Sequence, residues 1–252
     1  MVKLRLDIAL VNKGLAASRQ QARALIMAGR VLVNREPMEK PGAQVGQNDE
    51  VSLRGDDPEY VSRGGIKLQA ALEAFDIRVE NCVCMDVGAS TGGFTDCLLQ
   101  HGASQVYAVD VGYGQLAWRL RQDSRVEVIE RTNIRYMPFE KIGRVVDLIT
   151  IDVSFISLKI VVPAVRQFLH PGGRIIALVK PQFEVGKGNV GKGGVVRDPQ
   201  LHEQVLGQLA GFFYDAGLQT LDTIPSPITG PKGNREFLTL LIHRKQAVLR
   251  PG

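Results

Sequence analysis

The sequence predicts an α/β protein, a mostly parallel twisted sheet with helices on both faces, preceded by a small separate α/β unit. Three observations carry this. Short apolar runs at 82–87, 105–109, 126–130, 145–152 and 174–180 alternate with helix-length segments, the pattern of repeated β-α-β units. The first of these runs breaks at once into the turn GASTGG, residues 88–93, and resumes as a helical stretch from Phe94, giving strand, glycine-rich turn, helix. The first 59 residues follow a different rhythm of short helices and shorter strands, and carry their own charge pattern.

Along the chain, residues 4–13 place Leu4, Ile8 and Val11 on one side of a helix. Ser18 is a natural N-cap for a second helix over 19–28, with Ala22, Leu25 and Ile26 inward and Gly29 as its stop. Residues 30–34 read as a strand, Asn34-Arg35 as a turn, and Val45 and 49–53 as further short strands. In residues 1–35, Lys3, Arg5, Lys13, Arg19, Arg23, Arg30 and Arg35 face a single acid, Asp7. In 36–59 the balance reverses, with Glu36, Glu39, Asp49, Glu50, Asp56, Asp57 and Glu59 against Lys40 and Arg54. Arg19 and Arg23, four apart, share one helix face suited to phosphates, although an ordinary solvated surface would look the same. A linker over 54–61 divides the chain into domains 1–59 and 60–252.

In the second domain a helix over 66–75 carries Lys67 in its first turn, either solvated or turned into a cleft. After the glycine turn and its helix come strand 105–109, a short helix over 112–122, strand 126–130, strand 145–152 and helix 160–169. A turn at 170–173 then leads to strand 174–180, helix 201–216, strand 219–225 and a last strand 237–243. Ligands of such sheets collect at the carboxyl ends of the strands, where Asp86, Asp110, Asn133, Asp152 and Lys180 fall.

Composition narrows the function. The chain has 252 residues and a formal charge of +5, which permits a nucleic-acid partner without requiring one. Cys82, Cys84 and Cys97 cluster at one strand and helix, with neither metal-ligand spacing nor a disulfide framework. Arg5, Asp7 and Asn12 interrupt any leader-like run, and no stretch approaches the roughly 20 apolar residues of a membrane span. The expectation is a cytoplasmic protein with no membrane partner and no metal.

The turn at 88–93 is not G-x-G-x-x-G and lacks a P-loop lysine. Asp86 before it would repel a pyrophosphate but suits a cationic amino-acid end, and Asp110 can accept from two ribose hydroxyls. Together they point to S-adenosylmethionine, held by Asp86, Gly88, Ser90, Thr91, Gly92, Gly93, Phe94, Asp110, Asn133 and Asp152. Methylation of a base carbon wants a cysteine at a later strand end, and methylation of an exocyclic adenine nitrogen wants prolines after the fourth strand. Neither is present. A hydroxyl acceptor instead needs its proton removed as the methyl arrives, which suits Lys180 with Asp152 and Glu236 nearby.

Two resemblances sharpen this. Ser18-Arg19-x-x-Ala22-x-x-x-Ile26-x-x-Gly29-x-Val31-x-Val33-Asn34, followed by Lys40-Pro41 and Asp49, resembles an S4 RNA-binding domain. That resemblance implies RNA contacts for Arg19, Arg23 and Arg30, to which Arg5 and Arg63 are added as basic candidates. The second domain resembles the FtsJ-like ribose 2′-O-methyltransferases, implying a catalytic tetrad of Lys67, Asp152, Lys180 and Glu236. With SRGGIKL at 62–68, DVGASTGGFTD at 86–96, DVSFISL at 152–158 and KPQFE at 180–184, the whole chain is similar to the TlyA family. These are rRNA cytidine 2′-O-methyltransferases widely labelled hemolysins. The resemblance implies rRNA or a ribosomal subunit as partner. The short N-terminus and the tail past His243 are like the shorter form of the family, associated with 23S rRNA alone. Other structured RNAs, or a non-catalytic role in ribosome assembly, are the alternatives. The absence of any amphipathic lytic stretch argues against a hemolysin. The glycine-rich segments 183–196 and 224–234 flank the proposed site, and Lys187 and Lys192 are candidate phosphate contacts.

Overall fold

Ser18 starts a helix because its hydroxyl accepts the Gln21 N–H at 3.2 Å, satisfying one of the donors a helix start leaves open. That helix, α2 (Arg19–Met27), packs Ala22 and Ile26 against Leu6 and Leu10 of α1 (Leu6–Asn12). The helix expected from residue 4 begins later. Leu4 and Arg5 form β1, antiparallel to β4 (Gln44–Val45), and the Leu6 N–H goes to the Ala43 carbonyl. A second small sheet has the order β3-β2-β5, from β2 (Val31–Val33), β3 (Glu36–Pro37) and β5 (Val51–Leu53). Val31, Val33, Val45 and Val51 close the core from that side.

The chain divides into two compact units, Met1–Glu59 and Tyr60–Gly252. The computed structural model describes residues 3–46, 49–53, 59–186, 188, 190–191 and 193–244.

The larger unit is a seven-stranded sheet. In chain order its elements are α3 (Gly64–Ala74), β6 (Val83–Val87), α4 (Gly93–Gln100), β7 (Gln105–Val109), α5 (Trp118–Arg121) and β8 (Val126–Ile129). There follow β9 (Val146–Ile151), α6 (Leu158–Val165), β10 (Leu169–Val179), α7 (Pro199–Asp215), β11 (Leu218–Pro225) and β12 (Phe237–His243). The order is β11-β12-β10-β9-β6-β7-β8, parallel from β10 to β8, with β12 antiparallel between β10 and β11. One face is sealed by α6 and α7 through Val161, Val165, Leu209 and Phe213, with Phe168 from the turn just after α6. The other is sealed by α3 and α4 through Leu68, Leu72, Phe94 and Leu98. From β6 the chain steps outward to β7 and β8, then returns to β9 on the other side. This reversal of strand order opens a crevice at the carboxyl ends of β6 and β9.

Two expected elements differ. The helix expected over 112–122 is confined to α5. The N–H groups of Gly112 and Gly114 are taken by the side chains of Asp110 and Glu130, which bind residues 111–117 as a loop. The turn expected at 170–173 remains in β10, where the register against β9 slips between Leu169 and Arg174. This is a bulge within the strand, with no exit from the sheet.

Candidate active site

A cleft of about 590 Å³ opens at the β6–β9 crevice. Its polar floor is two lysine–carboxylate pairs. Lys67 reaches it from the first turn of α3, Asp152 from the end of β9, Lys180 from the end of β10, and Glu236 from the residue before β12. Lys67 Nζ lies 2.5 Å from Glu236 Oε2, and Lys180 Nζ 2.6 Å from Asp152 Oδ1. Lys180 also donates to Ser154 Oγ at 2.9 Å. The second Glu236 oxygen, Oε1, is buried without a hydrogen-bond partner. Buried charged groups are tolerated when they are paired, and each lysine supplies the partner for its carboxylate.

Close backbone approach builds the rim. Gly88 has φ +85°, and a Cβ there would lie 2.5 Å from the Asp152 carbonyl oxygen, so the glycine turn presses directly on the end of β9. The Asp152 N–H donates to the Val87 carbonyl at 2.9 Å, continuing the ladder to the same point. On the other wall a Cβ at Gly230 would lie 1.9 Å from Glu236 Oε1, so only the bare backbone lets this carboxylate face Lys67.

The expected cofactor residues separate into groups. Gly88, Ser90, Thr91, Gly93 and Phe94 line the cleft. Asp110 is half-buried beside the turn, its oxygens accepting from the N–H groups of Ser90 at 2.8 Å and Gly112 at 2.6 Å. Each oxygen keeps a further acceptor position. Asn133 is exposed and caps the turn at Arg135. At Gly92, φ +97°, the place of a Cβ is filled by Leu120 and Leu116, so this glycine makes room for packing by α5 and the segment that leads into it.

Asp86 is a correction. Its side chain is fully buried within β6, where Thr95 Oγ1 donates at 2.7 Å and Thr150 Oγ1 at 3.0 Å, and it does not line the cleft. Burial pushes its pKa up to about 7. In this geometry the carboxylate faces Thr95 and Thr150 inside the sheet and not the cleft.

Of the expected RNA contacts, Arg63 is exposed at the cleft, and Arg5, Arg19, Arg23 and Arg30 are exposed on the smaller unit. Lys187 and Lys192 lie outside the described residues. Among the described residues, no group of three or more His, Cys, Asp or Glu could hold a metal, and no helix is long and apolar enough to cross a membrane.

Several rim residues escape sequence reasoning. Phe155, 90 % exposed with φ +64°, stands at the cleft beside Phe183, their ring centroids 5.0 Å apart. Glu184 accepts from Ser157 Oγ at 2.6 Å and from the Leu158 N–H at 2.8 Å, tying the loop after β9 to the segment after β10. Buried Asn234 joins the two glycine-rich segments, accepting from the Val196 N–H at 3.1 Å and donating to the Gly194 carbonyl at 3.0 Å. His202 Nε2 contacts the Val196 carbonyl at 3.0 Å from the other side. Phe155, Phe183 and Glu184 fall inside the motifs at 152–158 and 180–184, which assign them no role, and Asn234 and His202 carry no signal of their own.

A sheet of this order, with β12 antiparallel and its crevice at a glycine turn, defines a Rossmann-like class I S-adenosylmethionine-dependent methyltransferase fold. The FtsJ-like methyltransferase family matches residues 60–242 and the S4 domain family residues 4–51. The chain is 49% identical over 240 residues to the 16S/23S rRNA (cytidine-2′-O)-methyltransferase TlyA of Mycobacterium tuberculosis, covering 95% of this chain and 90% of that one. It is 37% identical over 180 residues to the 23S rRNA (cytidine-2′-O)-methyltransferase TlyA of Campylobacter jejuni, covering 71% and 69%. A solved structure of a hemolysin-named protein from Streptococcus thermophilus superposes with TM-score 0.75 at 45% identity, covering 98% of this chain and 90% of that one. The chain belongs to the TlyA family of FtsJ-like, S4-domain rRNA methyltransferases, members of which are often named hemolysins.

Proposed function

We propose that this protein transfers a methyl group from S-adenosylmethionine to the 2′-hydroxyl of a cytidine in rRNA, with 23S rRNA in the large subunit as the target. The observation that carries the reading is the pairing of Lys180 with Asp152 and of Lys67 with Glu236 on one cleft floor. Both family relatives are named for cytidine 2′-O-methylation, and 23S rRNA is the target their names share.

The surroundings of the glycine turn suit the cofactor. Asp110, beside the turn and outside the cleft lining, retains acceptor capacity for a ribose diol, and the turn at 88–94 offers backbone beside a cavity of about 590 Å³, well within the size of small-molecule sites. When bound, the cofactor would supply an electrophilic methyl group, its sulfur–carbon bond breaking as the new bond forms and S-adenosylhomocysteine leaving. Lys180 Nζ is the group placed to take the hydroxyl proton as the oxygen–carbon bond forms, with Asp152 and Ser154 as its hydrogen-bond partners. Lys67 and Glu236 fix the far side of the acceptor ribose. Phe155 offers an exposed ring on which the base of the target nucleotide stacks. The S4 unit and the basic residues Arg63, Lys187 and Lys192 hold the RNA backbone.

The test is to incubate the protein and labelled S-adenosylmethionine with ribosomal subunits lacking the modification, then map the label by nuclease digestion. Label on a cytidine ribose of 23S rRNA is expected. Label on a base, or a preference for transfer RNA, overturns the assignment, and additional label on 16S rRNA overturns the restriction to 23S.

A further inference from the structure

In the smaller unit Asp7 is completely buried in the first turn of α1, yet it is bound by two arginines that reach the surface. Arg5 donates Nε to Oδ1 at 3.0 Å and Nη2 to Oδ2 at 3.1 Å, while Arg19 donates Nη2 to the same Oδ2 at 3.0 Å. The arginines come from different elements, β1 and the first turn of α2. Their side chains are 46% and 60% exposed.

One arginine would suffice to neutralise a buried carboxylate. The second leaves a local excess of one positive charge and brings two guanidiniums onto one carboxylate oxygen, close enough to bracket a single small anion. Each guanidinium has five N–H donors in a rigid fork, so most of them remain available after Asp7 is served. The Pro41-Gly42 turn runs alongside, and a Cβ at Gly42 would lie 3.4 Å from Arg5 Nη1, so the fork is also confined sideways. The Arg5 hydrogen bonds, followed by those from Arg19, hold the Asp7 carboxyl down at about 2, so the clasp stays charged at any physiological pH.

We propose that Asp7 assembles Arg5 and Arg19 into a preformed site for one phosphodiester group of RNA. Asp7 is a positioning residue that never touches the ligand. The inference rests on the reading of the S4 unit as an RNA-binding face and adds the ligand chemistry and the acid that organises it. Fixing long side chains before binding removes ordering entropy that the complex would otherwise have to overcome.

Charge alone and the clasp predict opposite signs for one substitution. Asp7→Asn removes an acid from a basic face, so net electrostatics predict tighter RNA binding. The clasp predicts weaker binding, by about tenfold near physiological salt, as two charge-assisted contacts lose their geometry. The experiment is a salt series of filter-binding titrations of full-length protein with large ribosomal subunits lacking the modification. It compares wild type, Asp7→Asn, Arg5→Ala/Arg19→Ala and the triple variant. The double arginine variant is expected to weaken binding and flatten the salt dependence, and in its background Asp7→Asn should no longer weaken anything. If the double arginine variant binds as wild type does, the RNA-binding reading of this face fails. If it weakens binding while Asp7→Asn binds equally or more tightly, the face stands and the clasp is overturned. To separate geometry from folding, Leu10→Ala serves as a core variant remote in chemistry from the clasp. Should Leu10→Ala, at a matched melting temperature, weaken RNA binding as much as Asp7→Asn does, the clasp is likewise overturned.

Discussion

The two lysine–carboxylate pairs of the cleft share chemistry and differ in enclosure. In the Lys67–Glu236 pair the side chains are 10% and 0% exposed, and the carboxylate is walled by the backbone at Gly230. In the Lys180–Asp152 pair they are 10% and 24% exposed, and a serine hydroxyl completes the lysine's contacts. A closed pair resists disturbance and suits holding and orienting. An open pair can exchange a partner for substrate and suits moving a proton. The difference teaches that two residues of one proposed tetrad can be indispensable for opposite reasons, one for rate and one for integrity.

This contrast can be broken most directly at Lys180. Lys180→Met keeps the apolar stem, so the fold and cofactor affinity should survive while single-turnover methyl transfer falls by at least about a hundredfold. Transfer at the wild-type rate in the variant would remove Lys180 from the chemistry. Lys67→Met should reverse the emphasis. It strands a buried carboxylate, so denaturant unfolding should show a loss of about 3–5 kcal/mol, larger than for Lys180→Met. Adding Glu236→Gln should restore much of that stability without restoring activity. Equal stability losses in the two lysine variants would erase the distinction drawn between the pairs.

A subtler test leaves all four side chains in place. Gly230→Ala forces Glu236 away from Lys67, since the added methyl cannot coexist with Oε1, and should lower the methyl-transfer rate about tenfold with cofactor affinity unchanged. Calorimetric titration with S-adenosylmethionine beside single-turnover rates checks both halves. The smallest expected effect is at Asp86. The folded protein holds its proton up to about pH 7, whereas an unfolded chain releases it near 4. In that window the unfolded state binds fewer protons, so stability falls as pH rises from about 4 to 7. Asp86→Asn should flatten this slope in melting curves, and an unchanged slope would show that Asp86 does not carry it.

Much of the larger fold is legible in sequence because β6 and β9 are buried over nearly all of their length and read as largely apolar runs, interrupted by Asp86 in one and by Asp147 and Thr150 in the other. Of the proposed tetrad, Asp152, Lys180 and Glu236 stand at strand boundaries, whereas Lys67, in a helix, is legible only through the family resemblance. The orientation of Asp86 is not legible, since a strand buried on both faces gives no alternation to tell which way an acid points. The boundary at α5 is set by side chains of Asp110 and Glu130 capturing backbone donors, contacts that local periodicity does not encode. Similarly, the link from Asn234 to Gly194 and Val196 spans about forty residues of chain, and nothing local to either end announces it.

The contact between Gly88 and the Asp152 carbonyl has a consequence for how such a protein can change over time. The proposed cofactor site begins at the turn after β6, and the proposed proton chemistry begins at the end of β9, yet the two meet with no room for a single methyl group. A lineage could lengthen its loops, exchange its surface charges or acquire a new RNA target without disturbing this seam. It could not alter residue 88 and retune the two functions separately. Selection on either one would therefore preserve the other, and the seam would outlast every surface feature of the molecule.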